Sequence, residues 1–90
     1  MSFLENLTSA VGLLKGFMEQ GKDPQAPEVK NAATQLVDLI QNATGKSLTR
    51  QEDLQNLVDQ YGSVLSLYLG DALPDEAFIA YVSKAAGLST

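Results

Sequence analysis

The chain has 90 residues, 44% of them hydrophobic and 19% charged, with a formal net charge of −5; a chain of that size and apolar content folds as one small domain rather than staying disordered. It contains no cysteine and no histidine, which removes disulfides, thiolate chemistry, the commonest general base and the commonest zinc ligand together. Its six cations (Lys15, Lys22, Lys30, Lys46, Arg50 and Lys84) are scattered, so direct nucleic-acid binding and attraction to an anionic membrane are disfavoured.

The opening Met1-Ser2-Phe3-Leu4-Glu5 carries no positive region ahead of an apolar run and does not read as a secretion signal. The longest apolar stretch, Ala10 to Leu14, is far too short for a membrane span. The expected location is cytoplasmic.

Helical periodicity then takes over. A first helix is expected over about 3–20, opened by Ser2 with Glu5 as a capping box and stopped by Gly21. Its apolar residues Phe3, Leu4, Leu7, Ala10, Val11, Leu13, Leu14, Phe17 and Met18 cover about half the circumference. Lys22 to Pro27 holds two prolines and reads as a stiff extended loop, with a short turn at Asp23-Pro24 as the alternative. A second helix runs over about 28–44, with Pro27 in its first turn, Gly45 at its end, and a stripe of Val29, Ala33, Leu36, Val37, Ile40 and Ala43. Thr49 with Glu52 forms another capping box, opening a helix over about 50–69 that Gly70 closes. Its stripe is Leu54, Leu57, Val58, Tyr61, Leu65, Tyr68 and Leu69. The fourth helix starts near Pro74, with Asp75 and Glu76 favouring its N-terminal dipole, and runs to about 86 on Phe78, Tyr81, Val82, Ala85 and Ala86. No segment alternates with period two. The fold class is therefore all-α, a compact bundle of four helices of orthogonal or up-down type, with Leu36, Ile40, Leu54, Leu57, Tyr61, Leu65 and Phe78 in its core.

Candidate chemistry dissolves on inspection. Gly45-Lys46-Ser47 looks like the end of a phosphate loop, but the glycine needed five residues earlier is Ile40 and a helix precedes it. The acidic spot Asp71, Asp75 and Glu76 has Ala72, Leu73 and Pro74 where a calcium loop needs oxygen ligands. A helix-turn-helix reading would give its recognition helix Asp53 and Asp59 against a single Arg50, a surface that phosphates repel. Ser83 and Lys84 are adjacent and point apart on a helix, so no Ser-Lys pair forms. No catalytic residue, cofactor or metal ligand is expected, and no motif is specific enough to assign a family.

Two surface features stand out. Gly12 and Gly16, four apart, share the polar face of the first helix with Glu5, Thr8 and Ser9. Glycine inside a helix costs about 1 kcal/mol relative to alanine, so the face reads as a patch for close approach of a partner, as packing within the bundle, or as a tolerated weakness. Leu67 falls outside the stripe of the third helix, and Gly62 marks a possible bend there. The candidate partner-binding set is Glu5, Thr8, Ser9, Gly12, Gly16 and Leu67. By elimination, the expected function is a non-enzymatic protein-interaction module that docks on a larger partner. Alternatives are a peripheral membrane or lipid-binding protein using the first helix, and a self-assembling subunit. In general character such a protein is similar to small accessory proteins of phages and mobile elements, including inhibitors of host defence, an analogy of class and not of residues.

Overall fold

In the computed structural model, which describes residues 2–70 and 74–89, the chain forms α1 (Phe3–Glu19), α2 (Pro27–Thr44), α3 (Gln51–Leu69) and α4 (Glu76–Ala86). The architecture is all-α, and no helix among the described residues is long and apolar enough to cross a membrane.

Local chemistry fixes most helix ends. Ser2 Oγ accepts the Glu5 amide at 3.2 Å and caps α1. The next connection is a turn rather than an extended loop. Asp23 Oδ1 accepts the Gln25 amide at 2.8 Å, and Asp23 carbonyl accepts that of Ala26 at 3.0 Å. Gly45 and Gly87 close α2 and α4 at φ of 71° and 79°, where a Cβ is disfavoured.

Two starts differ from the sequence reading. The capping box of α3 is displaced by one residue: Arg50 is the cap, and Asp53 takes the role expected of Glu52. Its Oδ2 accepts the amides of Thr49 and Arg50, both at 3.1 Å, and the Thr49 hydroxyl at 3.2 Å. The reason lies in the C-terminal tail. Ser89 pairs with this segment, its carbonyl accepting the Gln51 amide at 2.8 Å and its amide donating to Thr49 carbonyl at 3.1 Å. That pairing holds Arg50 extended and delays the helix. In α4, Asp75 is the cap itself and accepts the Phe78 amide at 2.8 Å, so the helix begins at Glu76 rather than near Pro74.

The core is built by α1, α2 and α4. Leu7, Val11 and Leu14 of α1 meet Val29, Ala33 and Leu36 of α2, and Phe78, Ile79, Val82 and Ala85 of α4 close over them. Each such large aliphatic or aromatic side chain contributes about 1.5–3 kcal/mol by leaving water. Leu48, in the α2–α3 connection, is buried as well, its amide held by Gln41 Oε1 at 2.8 Å. Of the side chains expected in the core, Leu36, Leu54, Leu57 and Phe78 are buried, while Ile40 and Leu65 are partly so. Tyr61 is not: it is 41% exposed, because none of the described elements covers its stretch of α3.

Short connections favour neighbouring helices. That holds for α1 with α2 and for α3 with α4, but not for α2 with α3. Among the described residues no Cα of α2 comes within 8 Å of one in α3. The helix α3 leans on α4, touches α1 lightly, and stands off from α2.

Candidate functional site: an apolar cleft and the seam beside it

The space between α2 and α3 is a cleft of about 440 Å³. Its walls come from the first half of α1 (Phe3, Leu4, Leu7, Val11), the second half of α2 (Leu36, Ile40, Ala43, Thr44), the length of α3 from Leu54 to Leu69, and Pro74, Phe78 and Ile79. Among the described residues the lining holds no charged side chain. The Thr44 hydroxyl is already committed, donating to Ile40 carbonyl at 2.8 Å. Sealed and empty, a void of 440 Å³ would cost on the order of 10 kcal/mol at about 24 cal/mol per Å³. That rivals the whole stability of a small domain, about 5–15 kcal/mol. The cleft is tolerable because it opens to solvent past Phe3, Tyr61 and Val64, which are exposed.

Its lip is the second half of α3. Leu54, Leu57, Tyr61, Val64 and Tyr68 follow one another at spacings of three, four, three and four. That is the seam a helix presents to another helix. Fractional exposure along this single seam climbs from 4% and 7% at Leu54 and Leu57 to 41%, 50% and 54% at Tyr61, Val64 and Tyr68. Beside it Leu67 is 82% exposed. The helix continues unbroken through Gly62, so no change of face explains the gradient. The segment Gln60 to Gly70 also contains no charged residue. Solvated helices normally carry charge on their outer face, whereas depletion of charge with exposed tyrosine is the composition of an interface centre.

A shallow hollow adjoins the cleft through Leu4, which lines both. There Tyr68 meets Ser2, Glu5, Thr8 and Ser9. The structure therefore brings Glu5, Thr8 and Ser9 together with a residue of α3 that sequence reasoning had placed in the core stripe. The Thr8 hydroxyl is occupied, donating to Leu4 carbonyl at 2.8 Å. Gly12 and Gly16 lie outside this hollow. A Cβ built on either meets no atom within 4 Å, so the reading in which they admit close packing inside the bundle does not apply. Leu67 sits next to Tyr68 in α3 and apart from the glycines.

The remaining motifs have local roles. Gly45 of the phosphate-loop look-alike is a helix end, and the Lys46 amide donates to Thr44 Oγ1 at 3.2 Å. Of the acidic spot, Asp75 is committed to capping and Asp71 lies outside the described residues. Of the apolar residues of α1, Leu7, Val11 and Leu14 are buried in the core, while Phe3 and Leu13 are exposed. No protein-family model matches the chain, and neither a curated protein nor a solved structure matches it.

Among the described residues, two groups titrate away from their ordinary values. Hydrogen bonds from the Thr49 and Arg50 amides hold the Asp53 carboxyl below the usual carboxylate range. Burial, reinforced by the negative charges of Asp23 and Glu28, raises the Tyr81 phenol. Neither lies on the cleft.

Proposed function

We propose that the protein is a non-enzymatic docking module that receives a helix of a protein partner along the second half of α3. One observation carries this reading: a helix-pairing seam that the chain itself covers at Leu54 and Leu57 and leaves bare from Tyr61 to Tyr68. A partner helix laid on that seam would cover Tyr61, Val64 and Tyr68 with its own apolar row and send side chains into the cleft. This is recognition of an amphipathic helix by a groove. The uncharged lip asks for no compensating charge at the centre. Glu5, at the edge of the adjoining hollow, is placed to meet a cation on the rim. The reading keeps Glu5, Thr8, Ser9 and Leu67 as contact residues and leaves Gly12 and Gly16 outside.

Capture on immobilised full-length protein, compared between wild type and Leu67→Glu, tests it. The expected result is a captured protein lost in Leu67→Glu and retained in Gly12→Leu, with a melting temperature no lower than that of the wild type in both. Capture that survives Leu67→Glu and fails in Gly12→Leu would move the site to the opposite face of α1.

A further inference from the structure

We propose that the cleft between α2 and α3 is a binding site for one small, uncharged, largely hydrocarbon molecule. This goes beyond the docking reading above, which lays a partner on the outer seam, and does not depend on it. Depth is the first argument. The floor is closed: Leu36, Leu54, Leu57, Phe78 and Ile79 line the cleft, yet none is more than 7% exposed. The mouth is open past Phe3, Tyr61 and Val64. A helix laid across that mouth spans it and reaches the floor only with single side chains, whereas a slender molecule enters end-on. Size agrees. Pockets for small ligands hold about 300–1,000 Å³, and this one holds about 440 Å³. A cavity of about 150 Å³ takes up one benzene, so the cleft has room for roughly 15–20 non-hydrogen atoms.

Chemistry is the second argument, because it selects the class. Among the described residues, only Thr44 and Tyr61 bring polar side chains to the lining. The Thr44 hydroxyl is used twice, donating to Ile40 carbonyl at 2.8 Å and accepting the Lys46 amide at 3.2 Å. Tyr61 stands at the mouth. Water on the floor therefore lacks the two to four polar partners, or about that number, that would hold it, and an apolar molecule gains by displacing it. Charge narrows the class further. None of the six cations lines the cleft or the hollow beside it, so a carboxylate or phosphate head finds no counterion. Glu5 lies in that hollow and the chain carries −5, which repels an anion. A cationic head finds no carboxylate among the described lining residues to offset its desolvation. What fits is a neutral body, with any polar end turned to the Tyr61 hydroxyl.

Two dyes of one skeleton read the result: N-phenyl-1-naphthylamine, which is neutral, and 8-anilinonaphthalene-1-sulfonate, which adds a negative charge. Titrated into the full-length folded chain, the neutral dye should brighten saturably at one per chain and raise the melting temperature by mass action. The sulfonate should bind at least tenfold more weakly. Ala43→Phe narrows the cleft from an exposed position of α2, so it should melt as wild type does and bind the neutral dye at least tenfold more weakly. Leu67→Glu, outside the cleft lining, should bind the dye as wild type does. A neutral dye that fails to bind overturns the proposal. So does a sulfonate bound as tightly, or dye binding undiminished in Ala43→Phe. Dye binding lost in Leu67→Glu and kept in Ala43→Phe would place the dye on the seam, which also overturns it. Flotation of the chain with neutral phosphatidylcholine vesicles, lost in Ala43→Phe, would give the cleft to a lipid surface instead. The docking reading stands or falls separately, on whether partner capture is lost in Leu67→Glu.

Discussion

Leu54 and Leu57 occupy the same seam of α3 as Tyr61, Val64 and Tyr68, with the same spacing and on one unbroken helix, yet the first pair is buried and the other three are open to solvent. The difference lies in what stands opposite. At its start α3 is pinned from several sides. Ser89 pairs with the backbone of Thr49 and Gln51, Leu48 plugs the core beneath, and Asp53 gathers the local amides. Further along those contacts end, and the second half of α3 borders the cleft with α2 standing off from it. An apolar seam records that a helix has a partner. Whether the partner is part of the same chain is a separate fact, decided by topology.

The sharpest way to break this comparison is to cut the same kind of side chain on each half. Leu57→Ala should cost about 2–5 kcal/mol, through lost burial and the cavity left behind. Leu67→Ala should fall within about 0.5 kcal/mol in the monomer. Urea midpoints at dilute concentration measure both. Equal losses would mean that α3 is covered along its whole length.

The closed side of the molecule offers a test of its dryness. Ser83 is fully buried on α4, and its Oγ has no hydrogen-bond partner. A buried hydroxyl left unsatisfied costs about 1–3 kcal/mol. Ser83→Ala should therefore raise stability, by about 1 kcal/mol once relaxation is allowed for. The corresponding change on the open half, Ser66→Ala, removes an exposed hydroxyl that donates to Ser63 carbonyl at 2.9 Å and should do little. A loss of stability in Ser83→Ala would show that the hydroxyl is satisfied.

Titration sharpens the contrast further, because both shifted groups tie the closed side together. Tyr81 donates its hydroxyl to Lys22 carbonyl at 2.8 Å, joining α4 to the α1–α2 turn. Its phenol is raised by burial first and by Asp23 and Glu28 next. A raised folded-state value means that the contribution is complete below the ordinary phenol range, near pH 10, and is lost as pH rises through the folded value. Tyr81→Phe should cost about 0.5–1.5 kcal/mol at neutral pH and remove this alkaline loss. Asp53 runs the other way. Its carboxyl is lowered by the Thr49 and Arg50 amides, so its contribution is present above the ordinary carboxylate value and lost as pH falls through the folded one. Asp53→Asn should flatten the acid limb of the stability profile, while the open half of α3, whose Gln60–Gly70 stretch has no carboxylate, should contribute nothing to that limb.

How far the sequence reaches follows from these same residues. Helix existence and extent were legible because the stripes and stop glycines are local signals. The capping box at α3 slipped by one because its competitor is Ser89, some 40 residues away. Leu48 carries no periodic signal inside a connection, and Ile79, next to Phe78, breaks a single-stripe count because α4 is buried on two sides. Leu67 stood out as an apolar residue off the stripe. Tyr61 and Tyr68 did not, since on a helical wheel they are indistinguishable from the buried Leu54 and Leu57. The hollow that joins Tyr68 to Glu5, Thr8 and Ser9 lies between distant elements, and no spacing rule within one helix reveals it.

The smallest expected effect separates the two surfaces that compete for a partner. Gly12 and Gly16 lie on α1 with nothing within 4 Å of a Cβ built on either, and neither has a positive φ. Alanine therefore fits without strain, and each Gly→Ala change should raise stability by about 0.5–1 kcal/mol through helix propensity and a less flexible unfolded chain. If that face is merely a weak stretch of helix, the same variants should associate as wild type does, and so should the bulkier Gly12→Leu. The seam on α3 behaves in the opposite manner: Leu67→Glu leaves the fold intact and removes the contact. Melting temperature and partner capture measured on one set of samples place each face in one class or the other. A Gly12→Ala protein that is more stable but no longer associates would transfer the interface to α1, and the bare half of α3 would then need a second occupant.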